Sequence, residues 1–122
     1  MEQFISIANG YDVITWNITE ILKDIGEKDL PVYDYSVEDL CACNDFTGDA
    51  EYAMSNVNDE PCVIAKLNEY TEILIDGNHR LYKAKQSGMS KISCYVLPVE
   101  FHKKFIVDYN EEIYVKVAAA FI

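Results

Sequence analysis

Asp76, Gly77, Asn78, His79 and Arg80 stand in a row between an apolar run, Ile73-Leu74-Ile75, and a stretch from Leu81 to Ala84 with the spacing of a helix face. A glycine lets a ligand approach the backbone, a histidine can move a proton near neutral pH, and a guanidinium fork matches phosphate or carboxylate oxygens. If a helix begins here, its unpaired N–H groups carry partial positive charge, so the ligand this stretch suits is an anion. Arg80 is the only arginine in the chain, and the other nine cations are lysines. A cationic pair in the first helical turn opposes the dipole, so local helix stability gives no reason for His79 and Arg80. The bland alternative is an ordinary strand-turn-helix in which both side chains make structural hydrogen bonds or pair with one of the many carboxylates.

Placing these residues takes a strand over Glu72 to Ile75 and a helix over about 78 to 87. Asn78 or Asp76 is expected to cap that helix, and Gly88 to take the left-handed turn after it. Over residues 76–91, four cations face one carboxylate, a local charge of +3 in a chain of −11, which leaves −14 elsewhere. Positive charge is therefore concentrated beside the turn.

The 122 residues, 50% hydrophobic and 12% aromatic, suffice for a single domain with a modest core. No stretch has the length of a membrane span and the first residues lack a signal-peptide pattern, so a cytoplasmic location is expected. Cys41, Cys43, Cys62 and Cys94 are then expected as reduced thiols, with Cys62 and Cys94 as small core residues. The Cys41-X-Cys43 pair is too little for a zinc site by itself. A pI near 4.4 disfavours non-specific nucleic-acid binding. A small anionic ligand or a basic protein partner suits the balance better.

Residues 1–9 read as a short strand or an arm, Asn9-Gly10 as a turn, and Tyr11 to Trp16 as a strand. Asn17 with Glu20 three residues later reads as a reciprocal cap, followed by the stripe Ile18, Ile21, Leu22 and Ile25, with Gly26 closing the helix. Leu30 to Tyr35 is expected as a strand, and Ser36 as the cap of a turn through Val37 and Leu40. Asp45 to Glu60 is polar, a loop or lid with a short helix at 50–55 and Tyr52 and Met54 near a ligand. Pro61 to Leu67 and Thr71 to Ile75 form a hairpin about Asn68-Glu69. After the helix, Ile92 to Leu97 is a strand, and Pro98 opens a helix carrying Val99, His102, Phe105 and Ile106. Residues 113–122 fit strand or helix equally, and exposed they would make an oligomer contact.

The order of a Pro-Val strand, a small helix, a Pro-started hairpin, Asp-Gly-X-His-Arg, a helix ending in Ser-Gly and a further strand resembles the ParB/sulfiredoxin superfamily. The likeness covers residues 29–98 and is strongest from Ile75 to Val96, which leaves 1–28 and 99–122 as N- and C-terminal extensions of one domain. Sulfiredoxins carry Gly-Cys-His-Arg over Gly77-Asn78-His79-Arg80, and ParB proteins carry Gly-Glu-Arg-Arg. The resemblance implies an α+β fold, a small mixed sheet with flanking helices and a phosphate-binding turn at a helix N-terminus. It further implies that Gly77, Asn78, His79 and Arg80 hold a nucleotide, ATP or CTP, with Mg²⁺. If the site is catalytic, phosphoryl transfer or phosphodiester hydrolysis would use Asp76 as metal ligand or base, Glu60 as a second carboxylate and His79 as proton shuttle.

Two departures narrow this. Asn78 stands where sulfiredoxins have a nucleophilic thiolate, which excludes reduction of sulfinic acids. The chain also holds no room for the helix-turn-helix domain of ParB partition proteins. The remaining readings are a nucleotide-binding domain or enzyme, a ParB-like nuclease, and a non-catalytic acidic inhibitor or regulator of phage or mobile-element origin.

Overall fold

A computed structural model describes residues 2–43 and 60–121. The expected lid, with Tyr52, Met54 and its short helix, lies outside the described residues except for Glu60. The described chain is mixed α+β, with six strands and five α-helices. No helix among the described residues is long and apolar enough to cross a membrane. Two compact units emerge, one made of Met1–Leu30, Ala65–Ile73 and Leu97–Ile122, the other of Pro31–Ile64 and Leu74–Val96.

In the first unit, β1 (Phe4–Ala8) pairs antiparallel with β2 (Val13–Asn17), Ile5 facing Trp16 and Ile7 facing Ile14. The Asn9 side chain closes the intervening turn by accepting the N–H groups of Tyr11 and Asp12, with Gly10 at φ 98°. Asn17 then caps α1 (Ile18–Glu27), its Oδ1 accepting from the Glu20 N–H at 3.1 Å. The earlier orphan donors, Ile18 N–H and Thr19 N–H, go to the Gln3 carbonyl, so the residue just before β1 completes the cap. Ile18, Ile21 and Ile25 are buried as their spacing requires. Gly26 does not end the helix, which runs on to Glu27 and stops at extended Lys28.

The helix expected from Pro98 is broken. α4 (Val99–His102) passes into a 3-10 turn (Lys103–Phe105), and Ile106 turns extended to bridge Trp16, with Val107 N–H bonded to Thr15 O at 2.8 Å. Pairing with the free edge of β2 supplies these donors and acceptors with partners that a continued helix would have given locally. Residues after 110 resolve as helix. α5 (Glu111–Ala119) begins where Asn110 Oδ1 accepts the Ile113 N–H, with two glutamates in its first turn and Lys116 in its last. Its Tyr114, Val117 and Ala118 are buried, while Val115 and Phe121 are exposed.

His102 is fully buried in this unit. Trp16 Nε1–H can only donate, and it does so to His102 Nδ1 at 3.1 Å, so the ring proton must sit on Nε2, which donates to Lys66 O at 2.8 Å. Tyr114 Oη–H donates to Leu67 O at 2.6 Å, and burial pushes its phenol up to about 12. Two ring side chains thus meet consecutive carbonyls where β4 ends.

The second unit carries β3 (Tyr33–Ser36) and α2 (Val37–Cys43), joined at Ser36, whose Oγ accepts the Asp39 N–H. Pro31 precedes the strand. The hairpin β4 (Cys62–Lys66) and β5 (Glu72–Asp76) leads into α3 (Asn78–Gln86), which ends at Ser87 with Gly88 at φ 75°. β6 (Lys91–Leu97) follows, and the four strands lie in the order β3-β6-β4-β5. Antiparallel register sets Asp34 opposite Ser93 and Tyr33 opposite Cys94. As an interior strand, β4 is buried at every position from Cys62 to Ala65, which explains a continuous rather than alternating apolar run. Val37, Cys62, Ile64, Leu74, Leu81, Ala84 and Cys94 form this unit's core.

Candidate functional site

The turn between β5 and α3 is built on Gly77, which sits at φ 107°, ψ 18°. A side chain here would be strained by the left-handed backbone, and its Cβ would fall 2.6 Å from Cys62 Sγ and 3.1 Å from Cys62 Cα. The space above this glycine is therefore filled by the protein's own strand β4. Gly77 is also the N-cap, and no side chain caps the helix. The expectation of an Asn78 or Asp76 cap is corrected: Asn78 is already the first helical residue, and the Asp76 carboxylate is turned to another partner.

That partner is Arg80, one helical turn on. Its Nη2 donates to Asp76 Oδ2 at 2.6 Å, and its Nη1 donates to Glu60 O at 2.7 Å and Pro61 O at 2.6 Å. The pair is mostly buried, with 13% of the Arg80 side chain and 20% of that of Asp76 exposed. A guanidinium holds five donors in a rigid plane, and here two bonds fasten the start of α3 to the chain entering β4 and a third ties it to the end of β5. Glu60 takes part through its main-chain carbonyl. Asn78 and His79 lie beside this clamp on the exposed side of the first turn.

The other face of α3 borders a cleft of about 320 Å³. Arg80, Lys83, Ala84 and Ser87 follow the i, i+3, i+4, i+7 spacing and form one wall; Lys91, Ile92 and Ser93 of β6 form another. Asp34 and Glu60 are the acidic groups on the rim, against three cations. Lys83 and Lys91 make no ion pair among the described residues. Pro61, Met89 and Ile92 add apolar surface. A cleft of this size, with apolar walls and a few charged groups, suits a small anion with an apolar portion.

No group of three or more His, Cys, Asp or Glu side chains able to hold a metal occurs among the described residues. An ion on Asp76 would also compete with Arg80 for Oδ2. Beneath the turn, Cys62 and Cys94 lie on neighbouring strands in one buried cluster. The hydrogen bond from Cys94 holds the Cys62 thiol below its ordinary range, with help from the Arg80 guanidinium and against burial, while that same bond and burial push Cys94 up.

Comparison with family models, with curated proteins and with solved structures finds no match to the chain.

Of the residues singled out from sequence, Asp76, Glu60 and Arg80 are brought together in one clamp, with Gly77 inside the turn. Lys83, Ser87 and Lys91 on the cleft were counted only as charge or not at all; the seven-residue step from Arg80 to Ser87 was the available signal. His102 was read as one residue of a helix face, and nothing in the sequence pairs it with Trp16.

Proposed function

We propose that the chain is a ligand-binding domain of ParB/sulfiredoxin-like fold that takes a nucleotide or another phosphate-bearing small molecule beside the Asp76-Arg80 turn. One observation carries this: Arg80, Lys83 and Lys91 line a single cleft in a protein whose net charge is −11. Asp76 already neutralises Arg80, and Asp34 and Glu60 share the rim, so the attraction for an anion rests on Lys83 and Lys91, which make no ion pair among the described residues. Lys83 and Lys91 supply the mobile charge, Arg80 forms a fixed wall, and the exposed first turn of α3 at Asn78 and His79 can add backbone N–H groups. Binding rather than catalysis is the function proposed, because Asp76 Oδ2 is committed to Arg80 and a base or Mg²⁺ ligand there would first have to release it.

The test is thermal unfolding of the full chain with ATP, GTP, CTP or inorganic phosphate, each with and without Mg²⁺. A melting temperature that rises with ligand concentration in the wild type, and does not in Lys83→Ala/Lys91→Ala, is the expected result. Melting unmoved by every one of these anions overturns the reading.

A second reading, a non-catalytic acidic interaction protein, is favoured by the same clamp, since three bonds from Arg80 to its own chain account for the motif without any ligand. It expects salt-sensitive capture of a basic partner that persists in Lys83→Ala/Lys91→Ala.

A further inference from the structure

Cys62 and Cys94 lie on neighbouring strands β4 and β6, both are fully buried, and both belong to one core cluster of the second unit. Neither is in a disulfide. The Cys62 S–H points to Gly77 O at 3.6 Å and the Cys94 S–H to Ile92 O at 3.8 Å. Cys94 and the Arg80 guanidinium hold the Cys62 thiol below its ordinary range against burial, so Cys62 is the sulfur that gives up its proton first. Two thiols on neighbouring strands of one cluster bring reactive chemistry to an apolar site that alanine or valine would fill without it.

We propose that Cys62 and Cys94 are a dithiol that a small hydroperoxide oxidises to an intramolecular disulfide, with Cys62 as the attacking sulfur and Cys94 as the resolving one. Complete burial excludes bulky disulfide donors and leaves an oxidant the size of hydrogen peroxide. The Cys62 thiolate attacks one peroxide oxygen and the O–O bond breaks. The leaving hydroxide takes up the proton Cys62 released and departs as water, and Cys62 carries a sulfenic OH. Cys94 sulfur then attacks Cys62 sulfur; the S–S bond forms, the S–O bond breaks, and hydroxide leaves as a second water with the Cys94 proton. Two thiols lose two electrons in all, and one peroxide is reduced.

The location gives this chemistry a readout. Cys62 Sγ fills the space beside Gly77, and β4 lies between β6 and β5. A bond to Cys94 draws that sulfur towards β6 and removes the floor of the turn. The inference stands whether or not the neighbouring cleft binds a nucleotide.

The experiment treats the reduced full chain with hydrogen peroxide, removes the peroxide, unfolds the chain in urea with N-ethylmaleimide to block remaining thiols, and maps the digest by mass. The expected result is loss of two hydrogens in a peptide pair joining Cys62 to Cys94, with Cys41 and Cys43 alkylated. In Cys94→Ser, a sulfenic acid at Cys62 is expected to persist and be captured when the chain is unfolded in urea with dimedone present; in Cys62→Ser, Cys94 is expected to remain a thiol. A disulfide through Cys41 or Cys43, a sulfinic acid at Cys62 beside an unreacted Cys94, or no change at either residue in the wild type overturns the proposal. The wild-type map decides even if a variant fails to fold.

Discussion

Two buried centres of this molecule solve the same problem in opposite ways. Around His102 the first unit buries polar rings and satisfies each ring atom: Trp16 donates to Nδ1, Nε2 donates to Lys66 O, and Tyr114 serves Leu67 O. Around Cys62 the second unit buries thiols among aliphatic residues and keeps its charged groups at the edge, in the Arg80 clamp. The first centre has one protonation state that works, and burial holds His102 below its ordinary range to keep it there. The second has no such requirement inside and tolerates chemistry at sulfur. Polar satisfaction specifies a structure tightly and leaves little freedom, whereas an apolar centre with a charged rim can accept a ligand or a modification.

The sharpest way to break the second centre is Gly77→Ala. Left-handed strain and the clash with Cys62 together should cost about 4 kcal/mol, read as the shift in urea midpoint. A change below about 1 kcal/mol would mean that the turn can move away from β4.

Breaking the first centre with His102→Ala leaves Trp16 N–H and Lys66 O unsatisfied and opens a cavity, at about 3 kcal/mol. The same centre gives a pH dependence. His102 has a folded pKa below its unfolded value, so the unfolded chain binds the proton first. Its contribution is complete above an unfolded value of about 6.5 and is lost as pH falls below it. The groups facing it are Trp16, Tyr114, the Lys66 carbonyl and the Glu100 carboxylate, and the last, with the hydrogen bond to Lys66 O, works in the opposite direction to burial. Urea titrations from pH 7.5 to 5 should show stability declining in the wild type and a flatter profile in His102→Gln; equal slopes would remove His102 as the cause.

The smallest expected effect belongs to the rim. Arg80→Ala should cost about 2 kcal/mol, because the carbonyls of Glu60 and Pro61 and the Asp76 carboxylate lose their donor in a partly screened position. Hydrogen exchange should rise at the start of β4 and leave β1 and β2 unchanged. Rise in both units alike would show that the clamp acts on the whole chain.

The amphipathic stripe of α1, the Asn17 cap, the hairpin and the extent of α3 were legible because each rests on local rules. So was the importance of Gly77, although the reason differs: the glycine admits β4, where sequence suggested room for a ligand. Local rules failed where a distant partner decides. Ile106 leaves its helix for the edge of β2, Gly26 stays helical because the chain turns only at Lys28, and Asp76 serves Arg80 in place of capping. The C-terminal helix was ambiguous because its β-branched residues argue for strand, and the deciding signal is one position upstream of its glutamates, at Asn110. The role of Arg80 depends on Glu60 and Pro61, twenty residues away, and no spacing rule reaches that far.

The loop that follows β4 belongs with the two ends of the chain. The carbonyls of Lys66, the last residue of that strand, and of Leu67, the first of the loop, are occupied by rings from positions 102 and 114, and one of those rings is held in turn by the indole at position 16. Excising residues 29–98 would strip that loop of both donors and expose a pair of acceptors in its own hairpin. The flanking segments are therefore not appendages added to a self-sufficient module; they are the means by which its hairpin is closed.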